Sequence, residues 1–291
     1  MALQRDARYP GRWTAASGGH PQGAFKNRTA PGSLDGSYIE QDWANDWDGF
    51  FSSLLNAALI TPNGNVDAVG ASQYYTALQT LVGHGRLLNI QTIIATGTYT
   101  KTPGTNKVVV RGAGGGGAGG GTQATTSGQC AAGGGGSAGA MGEGVYDASG
   151  FTTQSVVIGA AGVGVSGAAG GNGGSTTFGS LLTLPGGGGG GLGLATNSPP
   201  NEGGTSGALS SAPTGANVWG SPGAGGGDGF TLALVAPRYG IGGQSPFGSS
   251  KQGVASTGYG AGGSGQRALP SSGANNGYNG APGILIVEEY S

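Results

Sequence analysis

Apolar residues recur every three or four positions across DWANDWDGFFSSLLNAALI, residues 42–60. Trp47, Phe50, Phe51, Leu54, Leu55, Ala58 and Leu59 fall on one stripe, the mark of an amphipathic helix. Asp42 or Asp46 is placed to cap its start, and TPNGN (61–65) to stop it. A second helix is expected from Ser72 as N-cap through Tyr75, Leu78, Leu81 and Val82, until GHG breaks it at 83–85. From Leu87 the pattern becomes that of strands. LLNIQTIIATGTYTK and KVVVRG flank TPGTN, which predicts a hairpin between Tyr99 and Val108–Val110. SVVIG (155–159), STTFGSLLTL (175–184), FTLALVA (230–236) and GILIVEEY (283–290) read as further strands. Up to about Asn45 neither period holds, and the sequence predicts an extended arm that a partner must order.

Composition changes this picture at Arg111. Of 291 residues 70 are Gly, and only 13 of those precede Gly112, whereas 16 of the 25 charges do. Glycine blocks at 112–121, 133–142, 159–174, 186–193, 220–229 and 258–265 separate the later strands. A flexible linker would carry more Ser, Glu, Lys or Pro and would lack the recurring apolar strands. Low charge argues against a solvated disordered tail. The blocks keep no period of three in Gly, which excludes collagen, and only GAGGGDGF with Asp228 approaches a calcium-binding repeat. Chance GxGxxG matches open no convincing helix, and a Walker A motif is absent. Packed glycine remains. Extended backbones without Cβ atoms approach closely, and each buried amide must then bond to a neighbouring segment. The fold class is therefore mainly β: an extended arm and short helices, then a β-scaffold carrying packed, polyglycine-like segments. Residues 1–45, 46–86 and 87–291 are the expected arm, helical oligomerisation region and glycine-rich head.

Charge is nearly balanced, with 12 basic and 13 acidic residues, so no footprint for nucleic acid or an anionic membrane is present. Cys130 stands alone and reads as a small filler, and His20 and His84 read as loop residues, so no cofactor, metal or catalytic set is expected. MALQRDARYPGRW has no apolar core of a signal peptide, so synthesis in a cytosol without export by such a signal is expected.

ALITPNGNVDAVGASQYYTAL resembles the linker region of tail fibres and tail proteins of tailed bacteriophages and prophages. TGTYTKTPGTNKVVVRGAGGGGAGGG, GGNGGSTTFGSLLTLPGGGGGG and GAPGILIVEEY resemble the glycine-rich domain that ends many such fibres. The resemblance covers most of residues 55–291. It implies an N-terminal part bound to other tail-tip or baseplate proteins, a homotrimeric fibre, and a distal head touching a surface glycan, pilus or outer-membrane protein of the host. It places the protein in the virion tail, made in the host cytoplasm and released by lysis. No long shaft repeat and no terminal chaperone domain are recognisable, so trimerisation would come from the helices and the head.

Three groups of residues follow as candidates. For receptor contact, aromatic and basic residues off the predicted strands are chosen: Trp219, Arg238, Tyr239, Tyr259 and Tyr278. Arg5, Arg8, Tyr9, Arg12, Trp13 and Phe25 are candidates for attachment. The acids interspersed among them favour docking on protein over stacking on nucleic acid. Trp47, Phe50, Phe51, Leu54, Leu55 and Leu59 are the oligomerisation candidates. Two other readings stay open. One is an architectural baseplate component. The other is a polysaccharide depolymerase, for which Glu143 with Asp147 is the conceivable carboxylate pair.

Overall fold

The computed structural model describes residues 4–21, 23–37, 40–83 and 85–291. His84 lies outside the described residues; His20 closes a small loop against Ser17. The chain divides into two compact units, Met1–His84 and Gly85–Ser291.

The first unit is built on aromatic contacts. α1 (Arg5–Arg8) precedes a two-stranded hairpin of β1 (Trp13–Thr14) and β2 (Ala24–Phe25), followed by α2 (Gln41–Ala57) and α3 (Gln73–Gly83). The N-terminal stretch is thus not an extended arm. Trp13 is buried, with its ring 4.4 Å from that of Phe25 and the Arg5 guanidinium 4.6 Å above it. The chain of rings continues from Phe25 to Trp43, Trp47, Phe51 and Tyr74, joining the hairpin to both helices.

Capping differs from expectation at one helix and agrees at the other. Glu40 is the N-cap of α2 and makes no side-chain cap bond, while Asp42 accepts from Arg8 Nε at 2.8 Å. Asp46 lies a full turn inside the helix. α2 also stops earlier than its stripe suggests: Ile60 N–H donates to Leu55 O and Leu59 N–H to Asn56 O, with Leu59 left-handed at φ 56°. Leu59 therefore leaves the helix and is exposed. At α3, Ser72 Oγ accepts from Tyr75 N–H at 3.0 Å, and Asp67 accepts from the Gln73 and Tyr74 N–H groups. The face of α3 that meets the unit is Ala77 and Tyr74, not the expected stripe: Tyr75, Leu78, Leu81 and Val82 are exposed.

The second unit is mainly β. Its strands in chain order are β3 (Leu87–Ile93), β4 (Gly97–Thr100), β5 (Lys107–Ala113), β6 (Ala131–Ala132), β7 (Met141–Asp147), β8 (Thr153–Val157), β9 (Thr176–Phe178) and β10 (Leu182–Leu184). They continue with β11 (Asn201–Glu202), β12 (Trp219–Ser221), β13 (Phe230–Thr231), β14 (Pro237–Arg238), β15 (Gly248–Ser249), β16 (Thr257–Gly258), β17 (Arg267–Ala268) and β18 (Ile284–Tyr290). A five-stranded sheet, β12-β7-β5-β18-β3, faces a four-stranded one, β10-β9-β8-β4. Val108, Val110, Leu285 and Val287 from the first pack on Tyr99, Val156, Phe178, Leu182 and Leu184 from the second.

The predicted hairpin does not form. β4 pairs with β8 while β5 lies between β7 and β18, because the 102–105 turn carries the chain from one sheet to the other. STTFGSLLTL is two short strands around a turn at Gly179, and FTLALVA contributes only β13.

Beyond Ala113 the chain leaves the sheets as an extended segment with regular partners. N–H groups of Gly114, Gly117 and Gly120 donate to Ala140, Ser137 and Gly134. Those of Gly115, Ala118 and Gly121 donate to Gly174, Gly171 and Ala168, and those of Gly116 and Gly119 to Ala281 and Tyr278. The carbonyls accept in the same rhythm, from Gly187, Gly190 and Gly193 on one side, Gly263 and Gln266 on another, and Gly162 on a third. A partner change at each residue with return at every third is what a backbone of three residues per turn presents. Segment 133–140 has the same pattern. It donates to 260–266, 185–191 and 224–227, and accepts from 114–120, 207 and 240–243. Residues 112–122 and 130–140 are buried throughout. At most of these glycines a Cβ would meet a backbone carbonyl of the adjoining segment.

Candidate functional site

The segments place their connections at two ends. β3 begins the unit and β18 closes it, and Gly85 N–H donates to Ser291 O at 2.9 Å, so both termini of the unit sit at the sheets. Gly121 marks the opposite end, where the loops 122–132, 166–167, 194–202, 230–239 and 267–274 turn the chain back.

These tips are joined to one another. Cys130 and Thr196 exchange backbone hydrogen bonds, β6 pairs with β17, and Thr125 Oγ1 donates to Leu269 O at 2.5 Å. Burial pushes the Cys130 thiol up, as suits a packed filler. β11, β13 and β14 form a three-stranded sheet across two tips. It is tied to the segments below by Gly203 N–H to Gly229 O and by Gly240 N–H to Gly133 O, both at 2.9 Å.

The five receptor candidates do not gather in one place. Arg238 and Tyr239 are at the tips, where the Arg267 guanidinium lies 5.5 Å from the Tyr239 ring centre, a cation–π contact. Gln252 Nε2 donates to Tyr239 O at 3.0 Å, which brings the loop of Lys251 to the same region. The three basic residues after Arg111 thus lie on segments that meet at Tyr239. Trp219 is instead on β12 at the sheet end, opposite Glu143, with its Nε1 3.3 Å from the Glu143 carboxylate. Tyr259 is bonded to Phe247 beside β16, and Tyr278 lies within a packed segment, accepting from Gly119. These three look like loop residues in the sequence because β12 and the glycine-embedded segments lack an alternating apolar pattern.

Tyr146 of β7 folds back over Gly144 and donates to Gly215 O at 2.9 Å. Burial pushes its hydroxyl up to about 12. FTLALVA looks like a buried strand in the sequence, yet Phe230 is exposed on a strand of two residues.

Among the attachment candidates, Trp13, Arg5 and Arg8 make contacts within their own unit, Tyr9 and Arg12 are half-buried and Phe25 is exposed. Of the oligomerisation set, Leu55 is buried, Phe51 and Leu54 are half-buried, and Trp47, Phe50 and Leu59 are exposed. Glu143 and Asp147 stand four residues apart on one strand, about 13 Å by strand rise. That exceeds the roughly 5–9.5 Å between paired carboxylates of glycoside hydrolases. Compared with known families and with curated proteins, the chain matches no family model and no curated sequence.

Proposed function

We propose that the protein is a short tail fibre of a tailed bacteriophage or prophage. In this reading its N-terminal unit holds it to the tail tip or baseplate, and its glycine-rich unit binds a receptor on the host surface. The observation that carries the reading is the two-ended construction of the glycine-rich unit. The chain enters and leaves at the sheets, and five loops, four of them joined to one another, stand at the far end of hydrogen-bonded segments. Glycine serves there as a packed, polyglycine-like body: loops on such a base vary in sequence without disturbing it and stay rigid enough to bind.

The receptor surface in this proposal is the tip end, with Arg238 and Tyr239 as contacts; Trp219 and Tyr259, at the sheet end, are not part of it. Labelled full-length protein binding to a panel of bacterial strains tests this by flow cytometry. Arg238→Ala with Tyr239→Ala is expected to weaken adsorption about tenfold or more, as for truncated hot-spot residues, while Trp219→Ala and Tyr259→Ala leave it unchanged. Loss of adsorption only in the sheet-end variants would refute the placement. Adsorption to no strain would favour an architectural role.

The fibre is trimeric in the same proposal, with Trp47, Phe50, Tyr75, Leu78, Leu81 and Val82 supplying exposed apolar surface on α2 and α3 for self-association. Light scattering should give three times the 27.9 kDa chain mass. Phe50→Asp with Leu78→Asp should return the mass toward one chain; a wild-type mass of one chain would exclude the trimer.

A further inference from the structure

The small sheet at the tips places two further side chains, Glu202 and Phe230, in one row with Arg238. Glu202 is in register with Phe230, and Phe230 with Arg238. Residues directly opposite across antiparallel strands share a face, so carboxylate, aromatic ring and guanidinium stand in line. In the other row, Thr231 and Pro237 are buried and Asn201 is exposed at the edge. Thr231 Oγ1 donates to Asn201 O at 3.0 Å and closes the inner face. The outer row is solvent-facing, with Phe230 38 % exposed.

Glu202 and Arg238 stand about 10 Å apart, two strand spacings, with the ring between them. Among the described residues, no ion pair joins Glu202 to Arg238, so the carboxylate and guanidinium do not neutralise each other.

We infer that this row binds one pyranose ring of a surface glycan. The inference rests on the receptor-binding reading and names its ligand class. A pyranose has an apolar C–H face and a rim of hydroxyls that both donate and accept. Its flat face matches the exposed ring of Phe230. Hydroxyls at one edge donate to the Glu202 carboxylate, and those at the other accept from the Arg238 guanidinium. An apolar surface would leave both of these opposite charges without a partner. The strands are short, but the glycine segments bonded to residues 203, 229 and 240 hold them in register, which is the preorganisation that a small polar ligand needs.

An array of bacterial surface polysaccharides, probed with the full-length protein, tests the site directly. At least one polysaccharide should be bound. Phe230→Ala should lose tenfold or more of that signal, Phe230→Trp should keep it, and Glu202→Gln and Arg238→Ala should each reduce it. Far-ultraviolet circular dichroism of each variant separates binding from folding. Binding to no polysaccharide, or equal binding by folded Phe230→Ala, overturns the inference. Cells that the protein adsorbs to then separate the two readings. Adsorption lost after periodate, which cleaves vicinal diols, supports the sugar site. Adsorption that survives periodate and is lost after protease refutes it and leaves receptor binding standing. Polysaccharide binding without adsorption to any strain would sink the receptor reading and retain the sugar site.

Discussion

Gly117→Ala is expected to lower the melting temperature of the glycine-rich unit by about 6–12 °C. Gly128→Ala, eleven residues further along, should change it by no more than about 2 °C. The two glycines differ only in surroundings. Gly117 donates to Ser137 O at 2.9 Å and accepts from Gly263 N–H at 2.8 Å, and a Cβ there would overlap the Gly188 carbonyl. The obstacle is backbone, so no side chain can swing aside, and relief requires whole segments to shift. Overpacking of that kind costs up to about 3 kcal/mol or more, and in a unit of this size each kcal/mol moves the midpoint by about 2–4 °C. Gly128 has nothing within 4 Å of the Cβ position and an ordinary negative φ, so Ala fits there without strain. Differential scanning calorimetry reads both variants. Equal midpoints would mean that the segments are not held at the spacing described.

Glu289→Ala should destabilise the same unit by roughly 3 kcal/mol, as expected when several buried hydrogen-bonding groups lose one acceptor. The side chain is fully buried at the edge of the core. Its carboxylate accepts from Tyr99 Oη at 2.6 Å, Gln91 Nε2 at 2.8 Å and Thr102 N–H at 3.2 Å. Burial pushes this carboxyl up, but the bonds from Thr102, Tyr99 and Gln91 outweigh burial and leave it below its ordinary value. Burial, followed by the bond to Glu289, pushes the Tyr99 hydroxyl well up, so it remains a donor at neutral pH.

The sign for stability follows from the lowered value. A carboxyl with a folded value below 4.5 contributes fully above that ordinary value and loses the contribution as pH falls through the folded one. Wild type should therefore lose stability on acidification below about pH 4.5, and Glu289→Ala should lose less over the same interval. Urea unfolding at a series of pH values checks this; parallel curves for the two proteins would contradict it.

The neighbouring carboxylate points the other way. Glu288 pairs with Arg111 at 2.7 Å on the outer face of the same strand, which is the alternation expected from GILIVEEY as a strand. That strand and Val108–Val110 were legible because β-branched and long apolar residues at alternate positions mark a sheet face toward a core. β7 was not, since MGEGV places glycines where apolar residues would signal it. Ala216 stands over Gly142, and the ring of Tyr146 folds back along the strand over Gly144, so the side-chain volume there does not come from the positions themselves. The helical stripe of α2 was legible through Leu55, but its end was not. Leu59 at a left-handed cap position breaks a periodicity that the residue types continue.

The candidate site was legible in part. Arg238 and Tyr239 follow from the rule that exposed cations and aromatics on loops make contacts, and they stand at the tips. Trp219 and Tyr259 satisfy the same rule and stand at the other end. Nothing local to either residue records which way its segment runs. Phe230 is the converse case: its apolar run reads as buried, and only pairing with Glu202 and Arg238 turns it outward.

By itself, the sequence determined that the chain is mainly β with a few short helices, and that its character changes at Arg111. Those properties reside in side-chain size, branching and charge, which are read position by position. The tertiary structure alone decided which glycine segments adjoin, which loops share an end, and which side chains meet across them. The reason is physical. Glycine has no side chain to carry pairing information, and one backbone N–H is chemically like the next. The partner of each segment is set by the sheets from which it departs and the tips to which it returns.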